Sequence, residues 1–149
     1  MKTRPASRGR RVSAVQSAYD FLVKEGCSPR LIADDNPRFS EIAFQYDGQV
    51  LLAGVDERDP DFLQVSFGLR PDPPPDELTA LRVANAVQST HKVVKVGVER
   101  NGSVLRFGAP VLLRGLPPSR ALLERCIGLL RHTAREFEDL LRGTTQARA

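Results

Sequence analysis

Two tight-turn dipeptides, Asp47-Gly48 and Asn101-Gly102, are each flanked on both sides by segments in which apolar residues alternate with polar or small ones. Asp-Gly and Asn-Gly pairs readily adopt the positive φ angles of a type I′ turn, whose twist matches that of two paired strands. Alternation with a period of two is typical of a strand that buries one face. The sequence therefore predicts two antiparallel β-hairpins.

The hydrophobic pattern also predicts the register of both hairpins. In the first hairpin, Phe44 lies opposite Leu51 and Ile42 lies opposite Ala53, so that one face is apolar. In the second hairpin, the predicted pairs are Val98–Leu105, Val96–Phe107 and Val94–Ala109. A shift of one residue would turn these side chains to the opposite face of the sheet. The pattern of apolar residues therefore allows only this register.

The segment GVERNGS, Gly97 to Ser103, also has glycines spaced as in the phosphate-binding loop G-x-x-x-x-G-K-[ST]. The lysine of that loop is absent, and Ser103 precedes a predicted strand, whereas the loop requires a helix at that point. The hairpin interpretation therefore replaces the nucleotide-binding one. No cofactor is predicted.

Apolar residues at spacings of three and four predict amphipathic helices between the strands. The first helix begins near Ser13 and ends at Gly26. The second begins at Asp76, whose carboxylate can cap the helix, and ends near Thr90. The predicted inward-facing stripe of the second helix consists of Leu78, Leu81, Ala84 and Val87.

A third strand and a third helix complete the predicted elements. Apolar alternation spans residues 63–69, and a long helix begins at Ser119 and ends at Gly143. The predicted order is α-β-β-β-α-β-β-α. This order indicates an α+β fold with an antiparallel sheet.

The positive charge of the chain is concentrated at its N-terminus. The formal net charge is +4, and the first eleven residues contain no acidic residue and five basic ones, namely Lys2, Arg4, Arg8, Arg10 and Arg11. The remainder of the chain thus carries 4 − 5 = −1. We expect residues 1–12 to form a disordered basic tail, residues 13–142 a single domain, and residues 143–149 a second disordered tail.

The sequence gives no indication of export or of membrane insertion. No run of apolar residues approaches the length of a membrane-spanning helix, and polar residues interrupt the segment after Arg10-Arg11 where a signal peptide would be apolar. Cys27 and Cys126 are far apart and lack the Cys-x-x-Cys spacing. We expect a cytoplasmic protein whose thiols are reduced and buried.

No constellation of residues predicts catalysis or metal binding. The two histidines, His91 and His132, have no cysteine or second histidine at ligand spacing, and are interpreted as a polar loop residue and a solvated helix residue. The acidic segment 56–61 lacks the glycine and the terminal glutamate of a calcium loop, which favours a solvated loop. Cys126 is predicted to be a core residue. No catalytic residue, metal ion or small-molecule substrate is predicted.

The sheet face opposite the core is predicted to carry a mixed surface. Its apolar residues are Val50, Leu52, Phe62, Val93 and Val104, and its polar residues are Gln45, Gln64, Lys95 and Arg106. Large apolar groups on an exposed face are typical of an interface. The alternatives are contact with a second copy or cover by a helix, docking of another chain, and ordinary exposed apolar residues.

Residues 80–130 carry a helix ending in Ala-Asn-x-apolar-polar, a short lysine-containing strand, a tight turn, a second strand and a long helix. In this order of elements the chain resembles the YbjN-type family, whose fold is shared with type III secretion chaperones of the Tir-chaperone type. The resemblance covers about residues 13–142. It implies a chaperone-like or regulatory homodimer that binds a segment of another protein and has no catalytic residues.

The basic tail supplies an alternative function. Five basic residues can make salt-sensitive contacts with phosphates irrespective of nucleotide sequence. The alternative prediction is therefore a regulator that associates with nucleic acid through residues 1–12.

Overall fold

The structure, a computed structural model, describes residues 12–32 and 39–147. These residues form three α-helices and six strands, with a short turn of 3₁₀ helix at residues 100–102. In chain order the elements are α1 (Ala14–Lys24), β1 (Arg30–Ile32), β2 (Phe39–Tyr46), β3 (Gln49–Asp56), β4 (Asp59–Leu69), α2 (Glu77–Thr90), β5 (Lys95–Glu99), β6 (Val104–Leu112) and α3 (Arg120–Gln146).

The six strands form one antiparallel sheet in the order β1-β2-β3-β4-β6-β5. Buried residues of all three helices share one hydrophobic core with alternate strand residues such as Phe44, Val65 and Phe107. These strand residues lie on the same side of the sheet, so the helices cover that side. The predicted α+β fold with an antiparallel sheet is confirmed.

Both predicted hairpin registers are confirmed over the paired strands. Phe44 pairs with Leu51 in the first hairpin, and Val98 pairs with Leu105 in the second. Val94 is buried just before β5, so its predicted pair with Ala109 lies outside the strand ladder.

The turn residues have the predicted backbone conformation. Asp47 and Gly48 have φ angles of 47° and 72°, and Asn101 and Gly102 have φ angles of 55° and 92°. The amide of Ser103 donates a hydrogen bond to the carbonyl of Arg100, which closes the second turn. These left-handed conformations favour glycine and asparagine or aspartate, as the sequence indicates.

The structure adds a strand that the sequence did not predict. β1 has three residues and pairs with β2, with Leu31 opposite Ile42. Three residues are too few to display a period of two, so the pattern gave no signal for this strand.

The predicted inward stripe of α2 is wrong at two positions. Leu78 and Leu81 are 55% and 48% exposed, whereas Ala80, Val83 and Val87 are buried. The helix is therefore turned so that small side chains face the sheet and α3, which permits close packing, and the two leucines face outward.

The prediction that Gly143 ends the last helix is also wrong. α3 continues to Gln146, and the Thr144 hydroxyl donates a hydrogen bond to the carbonyl of Leu140 one turn earlier. Gly143 has no positive φ angle, so it does not form the left-handed cap on which the prediction rested. The first part of the predicted C-terminal tail is therefore helical.

The acidic segment 56–61 makes structural hydrogen bonds as well as contacts with solvent. The Glu57 carboxylate accepts hydrogen bonds from the backbone amides of Ala14 and Val15, both at 3.0 Å. The Asp61 carboxylate accepts one from the Gly115 amide at 2.6 Å. Glu57 therefore satisfies amides at the N-terminus of α1 that lack a partner within the helix, and the prediction of a merely solvated loop is corrected.

Candidate functional site

The side of the sheet opposite the helices forms the first candidate site. Because side chains alternate along each strand, Leu52 and Gln64 point away from the core to which Leu51 and Val65 belong. We call this surface the open face. Its apolar members include Phe39, Val50, Leu52, Phe62, Val104 and Leu112. No helix within residues 12–32 and 39–147 packs on it.

The structure places four of the five residues of the predicted apolar patch on the open face. Val50 is 59% exposed, and Leu52, Phe62 and Val104 are partly exposed. Val93 lies in the bend between α2 and β5, outside the sheet, so its inclusion in the patch is corrected. The bend interrupts the strand alternation from which its position was predicted.

The apolar side chains form separate groups on the open face. Val50 and Leu52 are neighbours on β3, and Leu52 pairs with Ser66 of β4. Phe62 pairs with Leu112, which is 69% exposed. The ring of Phe39 lies 6.4 Å from that of Phe62, between centroids. Phe39 and Leu112 are members that the sequence interpretation missed, although both lie at open-face positions of their strands.

Glycines on the open face allow larger side chains to lie flat across it. A Cβ atom on Gly54 would lie 2.3 Å from Cζ of Phe39, and a Cβ atom on Gly108 would lie 2.5 Å from Nε2 of Gln64. Neither glycine has a positive φ angle, so the requirement for glycine arises from close approach. The two glycines therefore make room for the Phe39 ring and the Gln64 side chain.

Charged groups of both signs border the apolar groups. The Arg106 Nε donates a hydrogen bond to Glu99 at 3.0 Å, and its Nη1 lies 3.8 Å from Glu41 Oε1. Glu41 belongs to β2, so Arg106 reaches across the two intervening strands. Lys95 is exposed on the same face. The open face therefore offers both positive and negative groups.

Two backbone amides at the sheet edges already have hydrogen-bond partners. On β5, the Val96 amide donates a hydrogen bond to the Gln88 side chain at 3.1 Å. On β2, beyond the end of β1, the Gln45 amide donates to the Cys27 carbonyl at 2.8 Å. Because these groups are already paired, addition of a strand from another chain is disfavoured at both points.

A cleft of about 620 Å³ lies between the proline-rich segment 71–75 and the last turns of α3. Its lining includes Glu138, Leu141 and Arg142. Four prolines of that segment also line the cleft, so its wall combines apolar and charged groups.

A second candidate site lies where the end of α2 meets α3. His91 Nε2 lies 2.5 Å from Glu136 Oε2, and the rings of His91 and His132 are 5.5 Å apart, edge to face. One ligand atom of each of these three residues lies within 4.8 Å of the others. The pKa of Glu136 is lowered, mainly by its hydrogen bond with His91 and also by the positive charge of His91 when that ring is protonated.

This cluster corrects the interpretation of His91 as a polar loop residue, because its side chain is 12% exposed and hydrogen-bonds with Glu136. His132 is exposed on α3, as predicted. The spacing of His132 and Glu136 along α3, four residues, was visible in the sequence and places both on one face of a helix. His91 is remote in sequence and reaches them only through the packing of α2 against α3.

The remaining predicted residues lie in two different settings. Cys27 and Cys126 are buried, and burial raises the pKa of both thiols. The predicted core position of Cys126 is confirmed. The basic residues proposed to contact nucleic acid, Lys2, Arg4, Arg8, Arg10 and Arg11, lie outside the described residues.

Comparisons with known proteins give a fold relationship. No protein-family model matches the chain, and no curated protein sequence matches it. The chain is similar to a crystal structure of an uncharacterized protein from Methanothermobacter thermautotrophicus, with a TM-score of 0.60 and 13% identity over 88% of this chain and 98% of that one. At this identity the similarity supports the fold alone. Within the described residues, no helix has both the length and the hydrophobicity that crossing a bilayer requires.

Proposed function

We propose that the protein is a non-enzymatic protein-binding module that forms a homodimer through the open face. The observation that supports this most strongly is the exposure of Val50 and Leu112, 59% and 69%, on a sheet face that no described helix covers. Burial of a large apolar side chain contributes about 1.5–3 kcal/mol. Contact between two open faces would therefore gain free energy from several side chains at once.

The size of the open face suits a dimer. Strands lie about 4.8 Å apart and rise about 3.3 Å per residue, so six strands with about eight residues in the long ones cover roughly 25 Å by 26 Å. The resulting area of roughly 650 Å² approaches the ~800 Å² that each partner buries in a standard interface.

The distribution of charge favours a second copy as the occupant. A two-fold axis brings the same surface of both copies together, so the charged residues of one open face meet the same charged residues of the other. Lys95 of one copy can then lie near Glu41 and Glu99 of the other, which pair with Arg106 within their own copy. Opposite charges on one face make it complementary to itself, which gives orientation as well as affinity.

We further propose a chaperone-like or regulatory role in the cytoplasm, in agreement with the resemblance to YbjN-type proteins. In this role the dimer would bind a segment of another protein. The alternative is association with nucleic acid through the basic tail, because residues 1–11 contain five basic residues and no acidic one.

Replacement of Leu52 or Val50 with aspartate on the open face tests the dimer. Each substitution would place an unpaired charge inside the contact, which is strongly unfavourable. We expect both variants to keep the circular dichroism spectrum of the unaltered protein and to sediment at half its mass.

Leu81→Asp is the matched control, because Leu81 is 48% exposed on α2, on the helical side of the sheet. We expect this variant to remain dimeric. Dimers of unchanged stability in Leu52→Asp and Val50→Asp would exclude the open face as the interface.

A further inference from the structure

The side chains of His91, His132 and Glu136 form a ligand set for a metal ion, independent of the open face. His91 extends from the C-terminal end of α2, where its backbone amide donates to the Val87 carbonyl. His132 and Glu136 project from α3 one turn apart. Two helices that pack against each other therefore hold the three side chains in fixed relative positions.

The hydrogen bonds of Thr133 fix the tautomer of His91. The Thr133 hydroxyl donates its single proton to the Leu129 carbonyl at 2.8 Å. It therefore acts as an acceptor toward His91 Nδ1, 3.3 Å away, and the Nδ1 atom carries the hydrogen. Thr133 is fully buried, so solvent does not compete for this contact. A partner on the far ring nitrogen is the usual support of a histidine that binds metal through the other nitrogen.

This tautomer directs the Nε2 lone pair of a neutral His91 at a carboxylate oxygen. His91 Nε2 and Glu136 Oε2 lie 2.5 Å apart, and both are acceptors when the imidazole is neutral and the carboxylate ionised. A proton on Nε2 makes this contact a hydrogen bond, and a metal cation between the two atoms can take the place of that proton. The second histidine, His132, lies close enough to supply a further nitrogen to such a cation.

We propose that His91, His132 and Glu136 bind a divalent transition metal ion, with Zn²⁺ as the expected occupant. Two imidazoles and one carboxylate suit Zn²⁺, whereas Mg²⁺ and Ca²⁺ prefer sets made of oxygen atoms. Three protein ligands leave a fourth tetrahedral position for water. The ion would link the end of α2 to the middle of α3.

The required movements are small. Bonds to Zn²⁺ measure about 2.0–2.2 Å, so two ligand atoms on a tetrahedral ion stand about 3.3 Å apart. The contact between His91 and Glu136 would widen from 2.5 Å, and the more distant pairs would close from at most 4.8 Å. His132 is exposed and the side chain of Glu136 is 35% exposed, so both can rotate without disturbing the core.

Titration of the full chain with ZnCl₂ after chelator treatment tests the proposal by calorimetry. We expect one Zn²⁺ per chain and a higher thermal midpoint with zinc than without it, because an ion that binds only the folded state stabilises it. We expect His132→Ala and Glu136→Gln to weaken zinc affinity at least about tenfold, because each removes or weakens a direct ligand. Circular dichroism checks that both variants are folded.

Glu138→Gln is the matched control, because Glu138 is an exposed carboxylate on the same helix outside the cluster. Its zinc affinity is expected to equal that of the unaltered protein. The absence of zinc binding by the unaltered protein would overturn the proposal. Equal zinc affinity in His132→Ala and the unaltered protein would also overturn it, because the ion would then lie elsewhere.

Discussion

Phe137→Ala is expected to lower the free energy of unfolding by about 3–5 kcal/mol, the usual range for a buried phenylalanine truncated to alanine. Phe137 lies on α3 and is fully buried. Its ring meets that of Phe107 edge to face, with centroids 5.7 Å apart, and Phe107 in turn stacks on Phe67 at 5.4 Å. The substitution would leave a cavity between the last helix and the centre of the sheet. Chemical denaturation of both proteins measures the change.

Phe21→Ala is the matched control for this substitution. Phe21 is only partly buried, on α1, and packs at the margin of the core. We expect Phe21→Ala to lower the free energy of unfolding by about 1–2 kcal/mol, because part of the Phe21 side chain is already in contact with water. Equal losses for the two variants would contradict the central position of Phe137.

Gly102→Val is expected to destabilise the fold by about 2–6 kcal/mol, through two effects. Gly102 has a φ angle of +92°, and a β-branched residue in that region costs about 1–3 kcal/mol. A Cβ atom at Gly102 would also lie 2.8 Å from the Pro75 carbonyl oxygen and 3.3 Å from backbone atoms of Glu77. This crowding adds a further penalty of about 1–3 kcal/mol. Urea denaturation provides the measurement.

Gly48→Val separates the two effects. Gly48 has a φ angle of +72° in the other hairpin turn, and nothing lies within 4 Å of a Cβ atom built on it. We expect Gly48→Val to be destabilised by the positive φ angle alone, and therefore to be more stable than Gly102→Val. Equal losses of unfolding free energy in Gly48→Val and Gly102→Val would contradict the close packing of the second turn against the start of α2.

The hairpins could be predicted from the sequence because the information that fixes them is local. A turn dipeptide sets the position of the loop, and the alternation of residues such as Val96 and Val98 then selects one register. Helix starts were predictable for the same reason. Asp76 accepts a hydrogen bond from the Thr79 amide at 2.9 Å, and Ser119 accepts one from the Leu122 amide at 3.2 Å.

The orientation of α2 could not be predicted in the same way. Hydrophobicity alone favours burial of Leu78 and Leu81, but the space beside β5 and α3 takes the smaller Ala80 and Val83. The fit of a helix to its neighbours depends on their shapes, which a single sequence does not display.

The two candidate sites differ in how far the sequence predicted them. Val50, Leu52, Phe62 and Val104 followed from strand alternation, because the side facing away from a predicted core is fixed by parity. The histidine cluster did not follow, because it depends on the contact between α2 and α3. Only the spacing of His132 and Glu136 was available beforehand.

Spin labels attached to single introduced cysteines give the most direct test that two copies meet through the open face. Cys27 and Cys126 are buried, so a label attaches to the introduced thiol in Val50→Cys or in the control Leu81→Cys. We predict an immobilised spectrum and strong dipolar coupling between labels at position 50, and a mobile spectrum with weaker coupling at position 81. Equal mobility at both positions, with no coupling at position 50, would contradict the proposed dimer.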